Sequence, residues 1–329
     1  MFQKNIASNR FTLVVVSIFA AIVWVVYDMT PHQAGESEEG VFSLSFVLGF
    51  ALCALAVYLM AELNTRYVLL RISSRMLSTC LVMLCAAASM LHHLSPAHLM
   101  LICAVAAYFP MFATYQRPYS TTRIFLEYLF IGLASYLFPQ VLYLVPVYWV
   151  VQGMLRALTF RSWVASLLGI ITPYWFLVSY AYITDKLPMF TKHFGESMSI
   201  GLPDYTLLSH KQIMVGALSL VLFILGGIDF SRKNHLDKTR VRSYYYAVLL
   251  LGASSFVWLF LQPQHFNLII PFCLVHAAMI GGHFVGLSYG GGNQNDKKIG
   301  SHHAENQANH RADGGEEGEK AHESAIFSY

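Results

Sequence analysis

Apolar residues dominate the chain in ten runs separated by short polar or charged breaks. The runs are Phe11–Tyr27, Val41–Ala61, Met76–Leu91, Leu99–Tyr115, Ile124–Phe138, Val141–Val151, Trp163–Ile183, Ile213–Ile228, Tyr244–Leu261 and Phe266–Tyr289. Crossing about 30 Å of hydrocarbon at about 1.5 Å per residue takes about 20 apolar residues. Most runs approach that length. They are continuously apolar and lack strict alternation, which predicts helices rather than barrel strands. The expected fold is an all-α integral membrane bundle of about ten segments. The first run lacks a small-x-small cleavage site after Tyr27-Asp28 and reads as an uncleaved span.

The stretch from Ile124 to Val151 needs a decision. One straight helix over it would be about 42 Å long, too long for the hydrocarbon. Pro139 and Pro146 interrupt it. Two short segments, 124–138 and 141–151, put Lys4, Arg10, Arg66, Arg71, Arg75, Arg117, Arg123, Arg156, Arg161, Arg232, Lys233, Lys238, Arg240 and Arg242 on one side. Only Lys186, Lys192 and Lys211 then face the other. A single segment spoils that asymmetry. The positive-inside rule therefore favours the short pair and puts both termini in the cytoplasm. A double crossing and a re-entrant hairpin both keep this parity.

Composition narrows the class. Hydrophobic residues make up 56% of the 329 and charged residues 12%, against about 25% charged in soluble domains. Net charge is only +3, and no basic stripe is interleaved with aromatics, so nucleic-acid binding is excluded. Cys53, Cys80, Cys85, Cys103 and Cys273 all fall in apolar runs and read as packing residues, not as a disulfide frame or metal site. The chain divides into a transmembrane domain, 1–289, and a Gly-, Asn-, His- and Glu-rich cytoplasmic tail, 290–329. The tail has too few aliphatic residues to offset ordering and reads as disordered.

Few residues carry candidate chemistry. Arg123 and Glu127, like Glu62 and Arg66, are four apart and share a helix face, the spacing of an interfacial ion pair. Glu127 lies one turn inside its apolar run, which makes it the ionisable group to watch at membrane depth. His276 and His283 share a face of the last run, about 10 Å apart along the axis, too far to bind one metal alone. Both are candidates for an ion path or for packing. Ala278, Gly282 and Gly286 form a small-residue ridge suited to close helix packing or dimerisation. Soluble-type catalytic motifs are absent, and no cofactor or metal is indicated.

Two resemblances rest on particular residues. The stretch Gly132-Leu133-Ala134-Ser135-Tyr136-Leu137-Phe138-Pro139, followed by Arg156, Arg161-Ser162-Trp163, Gly169 and Pro173-Tyr174, resembles a family of uncharacterised polytopic inner-membrane proteins of Bacteroidetes. That resemblance implies a bacterial inner membrane and no particular activity. Asp28, just after the first span, and the Gly132–Pro139 stretch are similar to features of multi-span glycosyltransferases that use lipid-phosphate sugar donors. This second resemblance implies Asp28 as base or metal holder, with Glu36 or Glu38 as a further oxygen ligand, and a polyprenyl-phosphate partner. The expected role is non-catalytic and envelope-related, among membrane lipids. The glycosyltransferase is the alternative, and a transporter built on Glu127 and the Pro139 break is the third reading.

Overall fold

A computed structural model describes residues 11–29, 43–70, 74–186, 188, 195 and 201–287. Among these the fold is helical, with no strand. The helices are α1 (Phe11–Met29), α2 (Leu44–Tyr67), α3 (Met76–Ala87), α4 (Pro96–Ala113), α5 (Thr121–Leu137), α6 (Val145–Met154), α7 (Phe160–Ile183), α8 (His210–Lys233), α9 (Thr239–Leu261) and α10 (266–287). Six of them are long and apolar enough to cross a membrane: α2, α4, α7, α8, α9 and α10. The apolar stretches of α1 and α3 are shorter. Residues 288–329, and with them the cytoplasmic-tail reading, lie outside the described residues.

Helix starts follow local chemistry. Ser95 with His98, Thr159 with Ser162 and Ser209 with Gln212 form reciprocal capping boxes that open α4, α7 and α8. The expected break lies at Pro139. Phe138 is extended, with φ −140° and ψ 92°, as a residue before proline must be. A 3₁₀ turn, Pro139–Leu144, then leads into α6, with Pro146 in its first turn. The second element of the pair thus begins at Val145 and not at Val141. At 10 residues α6 is about 15 Å long, too short to cross alone.

The helix α10 forms the core of the bundle. It is apolar on every face, and 83% of its most apolar window is buried, against 22% for α7 and 28% for α2 and α8. The outer helices turn large apolar side chains outward, among them Leu168, Trp175 and Phe176 on α7 and Leu218 and Ile224 on α8.

Lipid offers little hydrophobic drive for helix association, so close backbone approach matters. Glycines provide it. A Cβ at Gly169 of α7 would stand 2.5 Å from the Phe125 carbonyl oxygen of α5. One at Gly132 of α5 would stand 2.9 Å from the Ile170 carbonyl oxygen of α7. The same contact is tied by Tyr174 Oη donating to Ser135 Oγ at 2.7 Å, and Trp149 Nε1 of α6 donates to Ser166 Oγ of α7 at 3.0 Å. The small-residue ridge of α10 faces inward. A Cβ on Gly282 would meet Leu77 Cα of α3 at 2.7 Å, Gly286 lies against the Leu70 and Met76 side chains, and Ala278 is fully buried.

Candidate functional site

A polar cluster inside the bundle is assembled from α4, α5 and α6. Glu127, six residues into α5, is fully buried. Gln152, on α6 beyond the proline break, donates its Nε2–H to Glu127 Oε2. Thr114, at the end of α4, places its hydroxyl 2.6 Å from the Met111 carbonyl and 3.3 Å from Gln152 Oε1. The ion pair expected with Arg123 does not form. Arg123 instead donates to the Ala113 carbonyl at the C-terminal end of α4, while Glu127 turns into the bundle. The two residues share a helix face, but the last carbonyls of α4 capture the guanidinium. Glu62 and Arg66 are both exposed, and no ion pair joins them.

Three buried phenols lie on the same three helices as this cluster. Tyr108 of α4, Tyr128 of α5 and Tyr148 of α6 all lie within electrostatic range of Glu127. The Tyr128 and Tyr148 rings meet edge-on at 6.2 Å. Glu127 Oε1 and the hydroxyls of Tyr108 and Tyr128 are buried without a hydrogen-bond partner among the described residues. A carboxylate buried beside neutral donors pays a heavy desolvation cost, whereas a carboxylic acid does not. This setting therefore accommodates the protonated acid.

The same polar seam extends to α10. His276 is 2% exposed, its Nδ1 lies 2.5 Å from the Phe272 carbonyl, and Nε2 has no partner among the described residues. Its ring stands edge-on to Tyr108 at 6.0 Å. Tyr108 thus stands against His276 and within electrostatic range of Glu127. His283, two turns further along α10, belongs to a different cluster. Its Nε2 lies 3.4 Å from Asp237 Oδ2, with both side chains buried, and the rings of Tyr245 and Phe230 enclose it.

No known family, curated protein or solved structure matches the chain. The site must therefore be read from its geometry. Among the described residues, no group of three or more His, Cys, Asp or Glu is arranged to hold a metal ion. Asp28 lies in the last turn of α1, while its side chain, together with Glu36, Glu38 and Lys192, lies outside the described residues.

Three features of the structure were not anticipated from the sequence. Gln152 gave no signal, because an amide in a short apolar run reads as tolerated polarity. Asp237 did give one, as the single acid in the basic stretch Ser231–Ser243. Cys53 of α2 and Cys85 of α3, read as packing residues, line one cavity.

Proposed function

We propose that this chain is a multi-pass protein of a bacterial inner membrane, with ten membrane segments and both termini cytoplasmic. Its role in this reading is proton-linked transport, the third of the three readings the sequence leaves open and not the non-catalytic envelope role put first there. The observation that carries this reading is the fully buried Glu127 carboxyl, held by Gln152 from across a proline break and without a cation partner among the described residues. Acids at membrane depth mark ion and proton pathways, and interrupted helices line the sites they serve. Tyr108 and His276 extend the seam away from Glu127 with further unpartnered polar atoms. The charge asymmetry of the loops supports the orientation.

Proteoliposomes loaded with a pH-sensitive dye test this. Each of several solute classes, including amino acids, sugars and lipid-phosphate headgroups, is added outside. One class should shift internal pH with the wild-type protein and fail to do so with Glu127→Gln. An unchanged shift in that variant would refute the role of the carboxyl.

The glycosyltransferase reading needs Asp28 with Glu36 or Glu38 and a polyprenyl-phosphate donor at the outer face. Asp28→Asn keeps shape and removes charge. Full rescue of a null strain by that variant would end this alternative.

A further inference from the structure

Helices α1 and α2 both lie against α3 and leave a trough between them. Ala20 of α1 packs with Val82 and Ala86 of α3, and α2 packs along the same helix. The trough is a cavity of about 250 Å³. Small side chains account for it, since Ser17 and Ala20 line it from α1 and Cys53, Ala54 and Ala61 from α2. Trp24 shuts one end. It meets Phe50 edge-on at 5.6 Å, stacks on His92 at 4.3 Å and donates its Nε1–H to the His92 carbonyl at 3.2 Å. His92 Nε2 lies 3.0 Å from the Ala86 carbonyl, so this is the end beside Cys85 of α3. Arg75 lines the opposite end, at the start of α3 and about 15 Å along that helix from Cys85.

Length and opening decide what fits. The lining runs from Phe50 to Ala61 along α2 and from Leu13 to Trp24 along α1. Each stretch is about 16 Å of helix, and one leaflet offers about 15 Å of hydrocarbon, half of about 30 Å. Tyr58 lines the trough and is 64% exposed, so the trough opens sideways onto the outer surface of the bundle. Beside that opening α1 turns Val14, Ile18 and Ile22 outward. A dry cavity of about 150 Å³ takes a six-carbon ring, so about 250 Å³ takes about ten carbons, which is one chain and not two. Arg75 is the one charged residue of the lining, is exposed and forms no ion pair among the described residues. Glu62, next to Ala61, is exposed and does not pair with it. Residues 1–10, which precede α1, hold Lys4 and Arg10 and no acid. The start of the chain thus adds cations and not the anion that Arg75 lacks.

We propose that the trough between α1 and α2 holds one acyl chain of an anionic phospholipid, with the lipid phosphate on Arg75. The hydrocarbon outside is as apolar as the trough, so burial of the chain selects nothing by itself. Selection rests on the headgroup, because a guanidinium binds phosphate through two parallel N–H bonds. A zwitterionic lipid carries its own ammonium beside the phosphate, which weakens that hold. The signature of the site is therefore a preference for net negative charge. It does not rest on the Glu127 seam or on the transport reading.

The test uses the full chain in nanodiscs of phosphatidylethanolamine with a trace of probe lipid carrying a diazirine on one acyl chain. The probe is phosphatidylglycerol or phosphatidylethanolamine with identical chains. After illumination, peptides are mapped by mass spectrometry. The phosphatidylglycerol probe should label Ser17, Ala54 or Tyr58 about fivefold more than the phosphatidylethanolamine probe, the preference expected of one arginine beside an anionic lipid. The outward residues Leu218 and Ile224 of α8 should take both probes equally. This comparison needs no variant. Arg75→Gln should erase the preference. Ala54→Trp, which fills the trough, should abolish labelling at Ser17 and leave α8 unchanged. Equal labelling of the trough by both probes would mean ordinary boundary lipid and would overturn the proposal. So would a trough left unlabelled while α8 is labelled, or a preference that survives Arg75→Gln in full.

Discussion

The side-chain amide of Gln152 donates to the buried carboxyl of Glu127, joining α6 to α5 across the break at Pro139. The bond gives the short helix a fixed partner in the core. Gln152 is itself fully buried and shares Thr114 through its other amide atom. Replacing it by Leu strips a donor from a buried acceptor, which costs about 1–3 kcal/mol. Gln152→Leu should lower thermal stability in detergent by that amount, whereas Glu127→Gln, which keeps a hydrogen-bonding partner, should cost less. Thermal unfolding of the two variants side by side checks the order.

Glycine contacts predict a graded response. Gly169→Ala puts a Cβ 2.5 Å from a backbone oxygen, and Gly282→Ala puts one 2.7 Å from a backbone carbon. Neither neighbour yields without moving a helix, so each should destabilise by about 1–3 kcal/mol. Gly286→Ala meets only the flexible Leu70 side chain and Met76 Cβ, at 3.5 Å or more, and should be nearly neutral. Equal losses at all three positions would contradict the packing described.

The His283–Asp237 cluster ties the connection between α8 and α9 to the end of α10. Its worth is accessible by a double-mutant cycle with Asp237→Asn and His283→Gln. The two changes should be non-additive by about 0.5–3 kcal/mol, as for residues in contact. Additive losses would show that the two side chains do not interact.

Much of the architecture was legible from the apolar runs, because a helix in lipid must satisfy its own backbone and fill its length with apolar residues. The proline break and the singular position of Glu127 were legible for the same reason. Facing was not. A helix such as α10, apolar all round, carries no periodic stripe to say which side meets which neighbour. So Gly132 and Gly169 were visible as residues but not as the points where α5 and α7 approach, and Cys53 and Cys85 gave no sign of lining one cavity. Arg123 and Glu127 show the opposite failure. Their spacing was right for a pair, but the free carbonyls ending α4 competed for the arginine. That competitor lies in another helix and is invisible to local spacing.

Orientation has a direct check. A reporter fused after Gly290 should fluoresce and show no phosphatase activity, as the loop charges require. An active phosphatase there would overturn the ten-segment parity. Removal of 292–329 should leave insertion and thermal stability nearly unchanged, since that composition supports no core.

The central claim is that Glu127 is held as an uncharged acid inside the bundle. Infrared spectra of the protein in lipid at neutral pH test it most directly. The account predicts a protonated-carboxyl C=O band in the wild type that vanishes in Glu127→Gln and survives in Asp237→Asn. A wild-type spectrum without that band would mean that the carboxyl is ionised in the core, and would contradict the account.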